Sequence, residues 1–180
     1  MGRNKTIDRD AVLDVAESIV RQAGAAGLTI DAVARAAGIS KGGVQSCFGS
    51  KDALIDAMFG RWEQSYQSYF QPIVGDDPQP VTRVRAHVEA THRSDAISNA
   101  KAAGLMAALI QSPEHLTGTR DWYRQRIAGL DIRQEADRRA LLAFFATEGA
   151  FMLRFFGLMD FEPSQWEAAF VDIERLFGEM

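Results

Sequence analysis

The sequence has a single cysteine, Cys47, and no long hydrophobic run. One thiol excludes an internal disulfide and any zinc site built from several cysteines, which is typical of proteins from a reducing compartment such as the cytoplasm. The most apolar stretches, residues 141–146 and 150–153, fall far short of the roughly 20 residues that a membrane span requires. We therefore expect a soluble, cytoplasmic chain that has no membrane partner.

Motifs of catalysis are missing as well. The sequence has no HExxH, GxSxG, P-loop or GxGxxG pattern, and His87, His92 and His115 lack the spacing of two metal ligands on one helix. Cys47 has no evident base beside it in the sequence. We expect no catalytic residue, no metal site and no cofactor, so that the protein is not an enzyme, and we interpret the three histidines as surface or helix-end residues.

What is present is an ordinary globular composition with an uneven charge distribution. The 180 residues are 47% hydrophobic and 24% charged, enough for one domain or for two small modules that share a core. Residues 1–51 carry seven Lys or Arg against five Asp or Glu, whereas residues 52–180 carry thirteen against nineteen. The net charge of −4 taken alone argues mildly against a polyanionic partner, but the distribution matters more than the sum: the first part is mildly basic and the remainder is acidic.

Hydrophobic periodicity predicts an all-α protein of about nine helices. Apolar residues recur at three- and four-residue steps and no segment alternates with period two. The first three helices, with a tight Gly38 turn between the second and third, form a helix-turn-helix head. The predicted helices span residues 8–23, 30–37, 41–48, 51–71, 81–93, 95–111, 113–130, 134–158 and 163–178.

Residues 27–54 resemble the signature of TetR-family transcriptional regulators. The resemblance rests on Thr29, Ala34, Gly38, Ser40, Lys41-Gly42, Phe48, Ser50-Lys51 and Leu54, which align without a gap. It implies a DNA-binding domain at residues 1–51 and a body at residues 52–180 that binds a small effector and dimerises. It also implies a homodimer whose two heads occupy successive major grooves of a pseudo-palindromic double-stranded DNA operator.

The resemblance assigns DNA contacts to particular residues. The recognition helix matches residues 40–48. Arg3 and Lys5 of the N-terminal arm are expected to reach the DNA backbone. Lys41 and Lys51 are expected at phosphates and Gln45 at a base edge. The expected DNA-contacting residues are Thr29, Arg35, Ser40, Lys41, Gly42, Gly43, Gln45, Ser46 and Lys51.

The recognition helix also departs from the family pattern. Gly43 and Gln45 stand where the family usually has Thr and Tyr, so a hydroxyl and an aromatic contact are missing. Either the bare backbone at Gly43 approaches DNA closely, or operator affinity is low. Cys47 is either a redox-sensitive contact or simply a small residue in a short helix.

An aromatic stripe on the fourth predicted helix points to the effector site. Trp62 and Tyr66 belong to it, and they are either plain core or the wall of a pocket for a lipophilic or aromatic effector. The other helices expected around that pocket supply large or polar residues. The candidate pocket residues are Met58, Trp62, Tyr66, Met106, Leu109, Trp122, Tyr123, Arg126, Phe144, Thr147, Glu148 and Phe151.

Glu148 is notable because it lies within the apolar run of residues 141–156. A buried carboxylate requires a partner. Two alternatives remain open: a structural ion pair with Arg126 or Arg154, or a contact to a cationic lipophilic effector.

The last two predicted helices carry the expected dimer interface. Obligate homodimers bury a large apolar surface, and small residues such as Ala146 and Gly149 permit close helix approach. The expected interface residues are Leu142, Ala146, Gly149, Leu153, Phe156, Trp166, Phe170, Ile173 and Phe177.

Together these features predict a ligand-responsive transcriptional regulator, with repression as the usual consequence of the resemblance. An activator remains open. A further alternative is an all-α small-molecule-binding protein or enzyme with a vestigial head, which the departures at Gly43 and Gln45 keep in play.

Overall fold

A computed structural model of the chain describes residues 7–76, 79–94, 96–110 and 113–178, and of residues 96, 97 and 113–116 it describes the backbone alone. The described residues form nine helices and no strand, which confirms the all-α prediction. The helices are α1 (Arg9–Gly27), α2 (Ile30–Ala37), α3 (Lys41–Phe48), α4 (Lys51–Val74), α5 (Pro80–Arg93), α6 (Ala96–Ile110), α7 (Pro113–Ile127), α8 (Glu135–Phe155) and α9 (Pro163–Arg175).

Side-chain caps define the helices of the head. Thr29 Oγ1 accepts a hydrogen bond from the Ala32 amide at 3.0 Å, and Ser40 Oγ accepts one from the Gly43 amide at 3.0 Å. Each cap satisfies an amide that has no partner within its helix. Gly38 ends α2 in the left-handed conformation (φ 66°), which glycine adopts without steric cost. The bounds predicted for α2 and α3 are therefore confirmed.

Several predicted helix ends are wrong. α7, α8 and α9 end at Ile127, Phe155 and Arg175, three residues earlier than expected in each case, whereas α1 and α4 run longer than expected. α1 was expected to stop at Ala23, but its regular path breaks at Gly24 (φ 67°) and one more turn follows, in which Ala25 is buried. α4 was expected to stop before Pro72 yet continues to Val74. Proline removes one backbone hydrogen bond, but Ile73 and Val74 pack against the cluster of Tyr66 and Phe70, and this burial offsets the loss.

One hydrophobic core joins the head to the start of the body. Val12, Leu13 and Ala16 of α1 pack with Val33 of α2 and Phe48 of α3. The same cluster includes residues from α4 and α6, namely Leu54, Ile55, Met58, Leu105 and Leu109. The boundary between residues 51 and 52 remains a prediction, and apolar contacts run across it.

An ion cluster also links α1, α4 and α6. Glu17 of α1 accepts a hydrogen bond from Arg61 Nε of α4 at 3.0 Å and pairs with Lys101 Nζ of α6 at 2.9 Å. Arg61 also reaches Asp14 at 2.8 Å. Although partial burial acts in the other direction, these carboxylates raise the pKa of Arg61 above its usual value. Both charge and packing therefore link α1 to α4 and α6.

α5 lies at the centre of the body and contacts α4, α7, α8 and α9. Its Val84, Ala86, Val88 and Ala90 are buried although the helix also carries many polar residues. α9 packs Trp166, Phe170 and Ile173 onto Val88 of α5 and Ala143 of α8. Among the described residues, no helix is long and apolar enough to cross a membrane.

Candidate functional site

The turn between α2 and α3 presents the start of α3 to solvent. Lys41, Gly42, Gln45 and Ser46 are exposed, and Gly43 is half-buried. The other expected DNA-contacting residues of the described part, Thr29, Arg35, Ser40 and Lys51, are exposed as well. Arg3 and Lys5 lie outside the described residues. Residues that are exposed along one short helix and its flanks can meet a DNA groove together.

Lys41 has an acidic neighbour. Its Nζ lies 3.2 Å from Asp31 Oδ2, and both side chains are more than half exposed. Exposed ion pairs contribute little stability because water and salt screen them, typically about 0 to 1 kcal/mol. A phosphate can therefore compete with Asp31 for Lys41 at small cost.

The missing side chain at Gly43 has a local explanation. A Cβ atom at this position would lie 2.9 Å from Ile7 Cδ1, whereas one at Gly42 would meet only Ser40 Oγ at 3.9 Å. Ile7 also packs against the core of the head. Glycine at 43 thus makes room for the residue that leads into α1, in addition to any effect on DNA.

Cys47 belongs partly to the same core. It is half-buried and packs against the apolar cluster of the head, and its carbonyl accepts a hydrogen bond from Arg9 Nη1 at 3.0 Å. The guanidinium of Arg9 lies over the Phe48 ring, 4.5 Å from its centroid. These contacts support the interpretation of Cys47 as a small packing residue.

A cavity opens among α4, α5, α6, α7 and α8. Its volume is about 40 Å³, which is room for a few water molecules and much less than a drug-sized ligand occupies. Aromatic rings form one side, and hydroxyl and amide groups from the α5 and α6 region form another. The lining residues are Trp62, Ser65, Tyr66, His87, Thr91, Ser94, Ser98, Asn99, Ala102, Met106, Trp122, Tyr123, Glu148 and Phe151.

Seven of the twelve expected pocket residues meet at this cavity: Trp62, Tyr66, Met106, Trp122, Tyr123, Glu148 and Phe151. The other five do not line it. Met58 and Leu109 are buried in the core of the head, because that core extends along α4 and α6. Phe144 packs with Val84 and Ala140, Thr147 is fully buried, and Arg126 contacts the aromatic rings.

The rings pack against one another. Trp62 stacks on Tyr66 with centroids 5.5 Å apart, and Trp122 lies 5.4 Å from each of them. Such pairs add about 0.5–1.5 kcal/mol each beyond the area they bury. Trp62 and Tyr66 therefore serve both as packing residues and as cavity wall, so the two sequence-based alternatives are compatible.

A chain of hydrogen bonds crosses the cavity wall through four helices. Tyr66 Oη lies 2.7 Å from His87 Nδ1, and His87 Nε2 lies 2.8 Å from Glu148 Oε1. Tyr123 donates from its hydroxyl to Glu148 Oε2 at 2.9 Å. The chain connects α4, α5, α8 and α7, so displacement of any one member disturbs the others.

The partners of Glu148 constrain the direction of its hydrogen bonds. An ionised carboxylate only accepts hydrogen bonds, so His87 Nε2–H and the Tyr123 hydroxyl donate to Glu148. The direction of the bond between His87 Nδ1 and the Tyr66 hydroxyl depends on which ring nitrogens of His87 carry protons. Burial raises the pKa of Tyr66 and of Tyr123 well above the usual value; Glu148 acts in the same direction on both, whereas Arg126 acts against it at Tyr66.

Both predicted partners of Glu148 are wrong. Arg126 is 4% exposed, and its guanidinium lies 4.2 Å from the Trp122 ring centroid and 4.6 Å from that of Phe70. Its Nε and Nη2 have no hydrogen-bond partner among the described residues. Arg154 lies over the rings of Phe155 and Trp166 instead. Glu148 is held by His87 and by the Tyr123 hydroxyl, not by an arginine.

The interpretation of His87 as a surface or helix-end residue is wrong. Its side chain is 2% exposed because α5 is covered on several sides. His92 does lie in the last turn of α5, between Glu167 and Glu174, and the His115 side chain lies outside the described residues. The cavity residues that the sequence analysis missed are Ser65, His87, Thr91, Ser94, Ser98, Asn99 and Ala102.

Three of the exposed large apolar side chains of the body lie on α8. Leu142 and Phe145 are 56% and 58% exposed, and Leu153 is 38% exposed. Ala146, Gly149 and Phe156, also expected at the dimer interface, are half-buried, as is Phe177. The expectation for Trp166, Phe170 and Ile173 requires correction, because they are buried within the protomer against α5 and α8.

Comparison with known families decides the classification. Residues 12–58 match the model described as bacterial regulatory proteins, tetR family, and residues 81–177 match the model described as tetracyclin repressor-like, C-terminal domain. The second match alone covers more than half of the chain. The chain belongs to the TetR family. The resemblance seen at residues 27–54 is thereby confirmed.

Solved structures show the same fold as this TetR-family chain. A TetR family transcriptional regulator from Pseudomonas syringae pv. tomato is 17% identical, with a TM-score of 0.65 and coverage of 97% of this chain and 96% of that chain. A transcriptional regulator from Rhodococcus sp. Rha1 is 19% identical, with a TM-score of 0.68 and coverage of 95% and 96%. A TetR-like transcriptional regulator, also from Rhodococcus sp. RHA1, is 21% identical, with a TM-score of 0.62 and coverage of 98% and 96%. No curated protein shows significant sequence similarity to the chain.

Membership of the TetR family assigns the broad function. Proteins of this family are transcriptional regulators with an N-terminal helix-turn-helix head and a helical C-terminal domain. This TetR-family chain has both parts, and its cavity lies in the second part.

Proposed function

We propose that the protein is a ligand-responsive repressor that binds a pseudo-palindromic operator as a homodimer and is released by a small lipophilic or aromatic effector. The observation that carries the proposal is the exposure of Lys41, Gln45 and Ser46 on α3 of a family-matched head. The head would comprise residues 1–51, and residues 52–180 would bind effector and dimerise.

The DNA contacts would divide into two kinds. Lys41 and Lys51 stand in the first turns of α3 and α4, where they would neutralise phosphates independently of sequence. Gln45 is exposed one turn further along α3 and offers an amide that can bond adenine at two positions. Arg35, which lies on α2, would contact the sugar-phosphate backbone of the DNA.

A dimer is proposed because one head offers few contacts. α3 has eight residues, and helix-turn-helix proteins reach useful affinity by placing two such helices one helical turn of DNA apart. The exposed Leu142, Phe145 and Leu153 of α8 form an apolar surface that a second copy would cover.

Effector binding would act on the head through Trp62. The cavity of about 40 Å³ is too small for a drug-sized molecule, so such an effector must displace lining side chains. Trp62 lines the cavity and also packs against the core of the head. Its displacement would shift α4 and change the spacing of the heads. A coupling of about 1–3 kcal/mol would change operator affinity by roughly 5- to 150-fold.

The test is fluorescence anisotropy with DNA from the region upstream of the gene, at two salt concentrations. Wild type should bind tightly and lose affinity steeply as salt rises, because binding releases counterions. Lys41→Ala should weaken binding and reduce the salt slope by about one unit, as expected for one lost phosphate contact. Arg175→Ala, an equal charge change on exposed α9, is the control and should behave as wild type.

Absence of salt-dependent binding by a folded protein would contradict the proposal. It would favour the alternative of a small-molecule-binding protein or enzyme with a vestigial head. In such a protein Lys41 would stay paired with Asp31, and Gly43 would serve only to accommodate Ile7. A reporter assay with and without the gene separates repression from activation.

A further inference from the structure

The cavity lining carries a single carboxylate. Among the described residues that line it, Glu148 is the one acidic side chain, and no lysine or arginine is present. The other members of the hydrogen-bonded chain are His87 and the hydroxyls of Tyr66 and Tyr123. The lining therefore offers a ligand a carboxylate and no lysine or arginine side chain.

The carboxylate still has capacity to accept hydrogen bonds. Each oxygen accepts one, from His87 Nε2–H at 2.8 Å or from the Tyr123 hydroxyl at 2.9 Å. An ionised carboxylate offers about four acceptor positions, so about two remain. Because the side chain of Glu148 is only 15% exposed, water supplies little of the missing solvation.

Arg126 determines where a ligand's positive charge can lie. Its guanidinium occupies the neighbourhood of the Tyr66, Phe70 and Trp122 rings, at 5.2, 4.6 and 4.2 Å from their centroids. A second cation on those rings would be repelled. The positive charge must therefore lie at Glu148 and Tyr123, with the apolar part of the ligand toward Trp62, Met106 and Phe151.

We infer that the effector is a small organic monocation, an ammonium group on a flat apolar body, with Glu148 as its counter-ion. The ammonium group supplies hydrogen-bond donors to the open acceptor positions, and the body packs against Trp62. The inference rests on the cavity being the effector site of the proposed function, but it specifies a charge that the proposed function leaves open.

The experiment compares ligands that differ in charge and little else. The probes are two matched pairs: 2-phenylethylammonium with 2-phenylethanol, and 1-naphthylmethylammonium with 1-naphthalenemethanol. Isothermal titration calorimetry measures their binding without DNA, to wild type, Glu148→Gln and Asp160→Asn. Asp160 is exposed on the α8–α9 loop, so its variant changes net charge equally, away from the cavity.

In at least one pair, the ammonium compound should bind wild type and Asp160→Asn at least tenfold more tightly than its alcohol. In Glu148→Gln this preference should fall to about one, while the alcohol still binds, which shows that the cavity persists. Equal binding of ammonium and alcohol to wild type, a preference that survives in Glu148→Gln, or no binding of any of the four probes would overturn the inference.

A variant that does not fold is handled by a second substitution. Glu148→Asp keeps the negative charge but moves it back by one methylene. The ammonium compound should therefore still bind more tightly than its alcohol, by a smaller factor than in wild type. Loss of this preference would count against the inference. DNA binding by anisotropy is measured separately. A protein that binds DNA without selecting cations contradicts the inference alone, whereas one that selects cations without binding DNA contradicts the regulator.

Discussion

Tyr66 and Tyr123 make stability depend on alkaline pH. Burial raises the pKa of both phenols above the ordinary value of 10.0, so the unfolded chain loses these protons first. The folded state then binds more protons, and the free energy of unfolding falls as pH rises above about 10. Urea unfolding of wild type at pH 9 and pH 11 should show this loss of stability.

The matched variant is Tyr123→Phe, which removes one of the two phenols. Its loss of stability between the same pH values should be smaller than that of wild type. A variant with an unchanged pH dependence would show that Tyr123 does not contribute. At pH 7 the variant should be less stable than wild type by about 1–3 kcal/mol, because Glu148 loses a donor while it stays buried.

Single residues also mark the limit of sequence-based prediction. Trp62, Tyr66 and Glu148 could be assigned to the cavity because aromatic spacing and an acid in an apolar run are visible in the sequence. His87 could not, because its burial depends on the four helices packed around α5, and the sequence does not show which of them meet its side chain. The single usable signal was that a buried Glu148 needs a hydrogen-bond donor.

Among the helices, α1 is held to α4 and α6 by the Glu17 ion cluster. Glu17→Gln would leave Arg61 and Lys101 without their shared carboxylate, and the side chain of Glu17 is only 11% exposed. We expect a loss of about 1–3 kcal/mol in the free energy of unfolding. Chemical denaturation at low salt measures it.

The matched control is Asp14→Asn. Asp14 also pairs with Arg61 but is 68% exposed, so its loss should cost at most about 1 kcal/mol. Equal costs for the two variants would mean that the cluster acts as a surface ion pair and does not hold the helices together.

Helix limits were predictable where local chemistry determines them. Thr29 and Ser40 are capping residues, and α2 and α3 begin directly after them. The ends of α1 and α4 were not predictable, because Ala25, Ile73 and Val74 extend those helices through burial against residues distant in sequence. Tertiary packing overrides the local break in both cases.

For the whole molecule, the proposed dimer depends on the exposed apolar side chains of α8. We expect Leu142→Glu with Phe145→Glu to convert a dimer into a folded monomer, because both side chains are exposed in the protomer and a partner would have to bury the new charges. Light scattering after size exclusion measures the mass, and circular dichroism checks the fold.

The control is Ile132→Glu. Ile132 is 67% exposed but lies before α8, away from Leu142 and Phe145. This variant should remain dimeric. A wild-type protein that is monomeric at micromolar concentration would contradict the proposed dimer.

The assignment of Trp166, Phe170 and Ile173 to the interface failed for a reason that concerns the whole molecule. Trp166, Phe170 and Ile173 form an apolar stripe, and a stripe indicates burial without identifying the partner. In this protein the partner is α5 of the same chain. Leu142 and Phe145 differ from these three residues because they stay exposed in the complete protomer.

The arrangement of the three tryptophans has a practical consequence. Trp62 and Trp122 are in contact and both line the cavity, whereas Trp166 lies apart in the core between α5, α8 and α9. Intrinsic fluorescence therefore contains two emitters at the cavity, which a bound effector would perturb, and one that lies away from it. A Trp166→Phe variant would leave emission that comes from the cavity alone, which would let compounds be screened without a label.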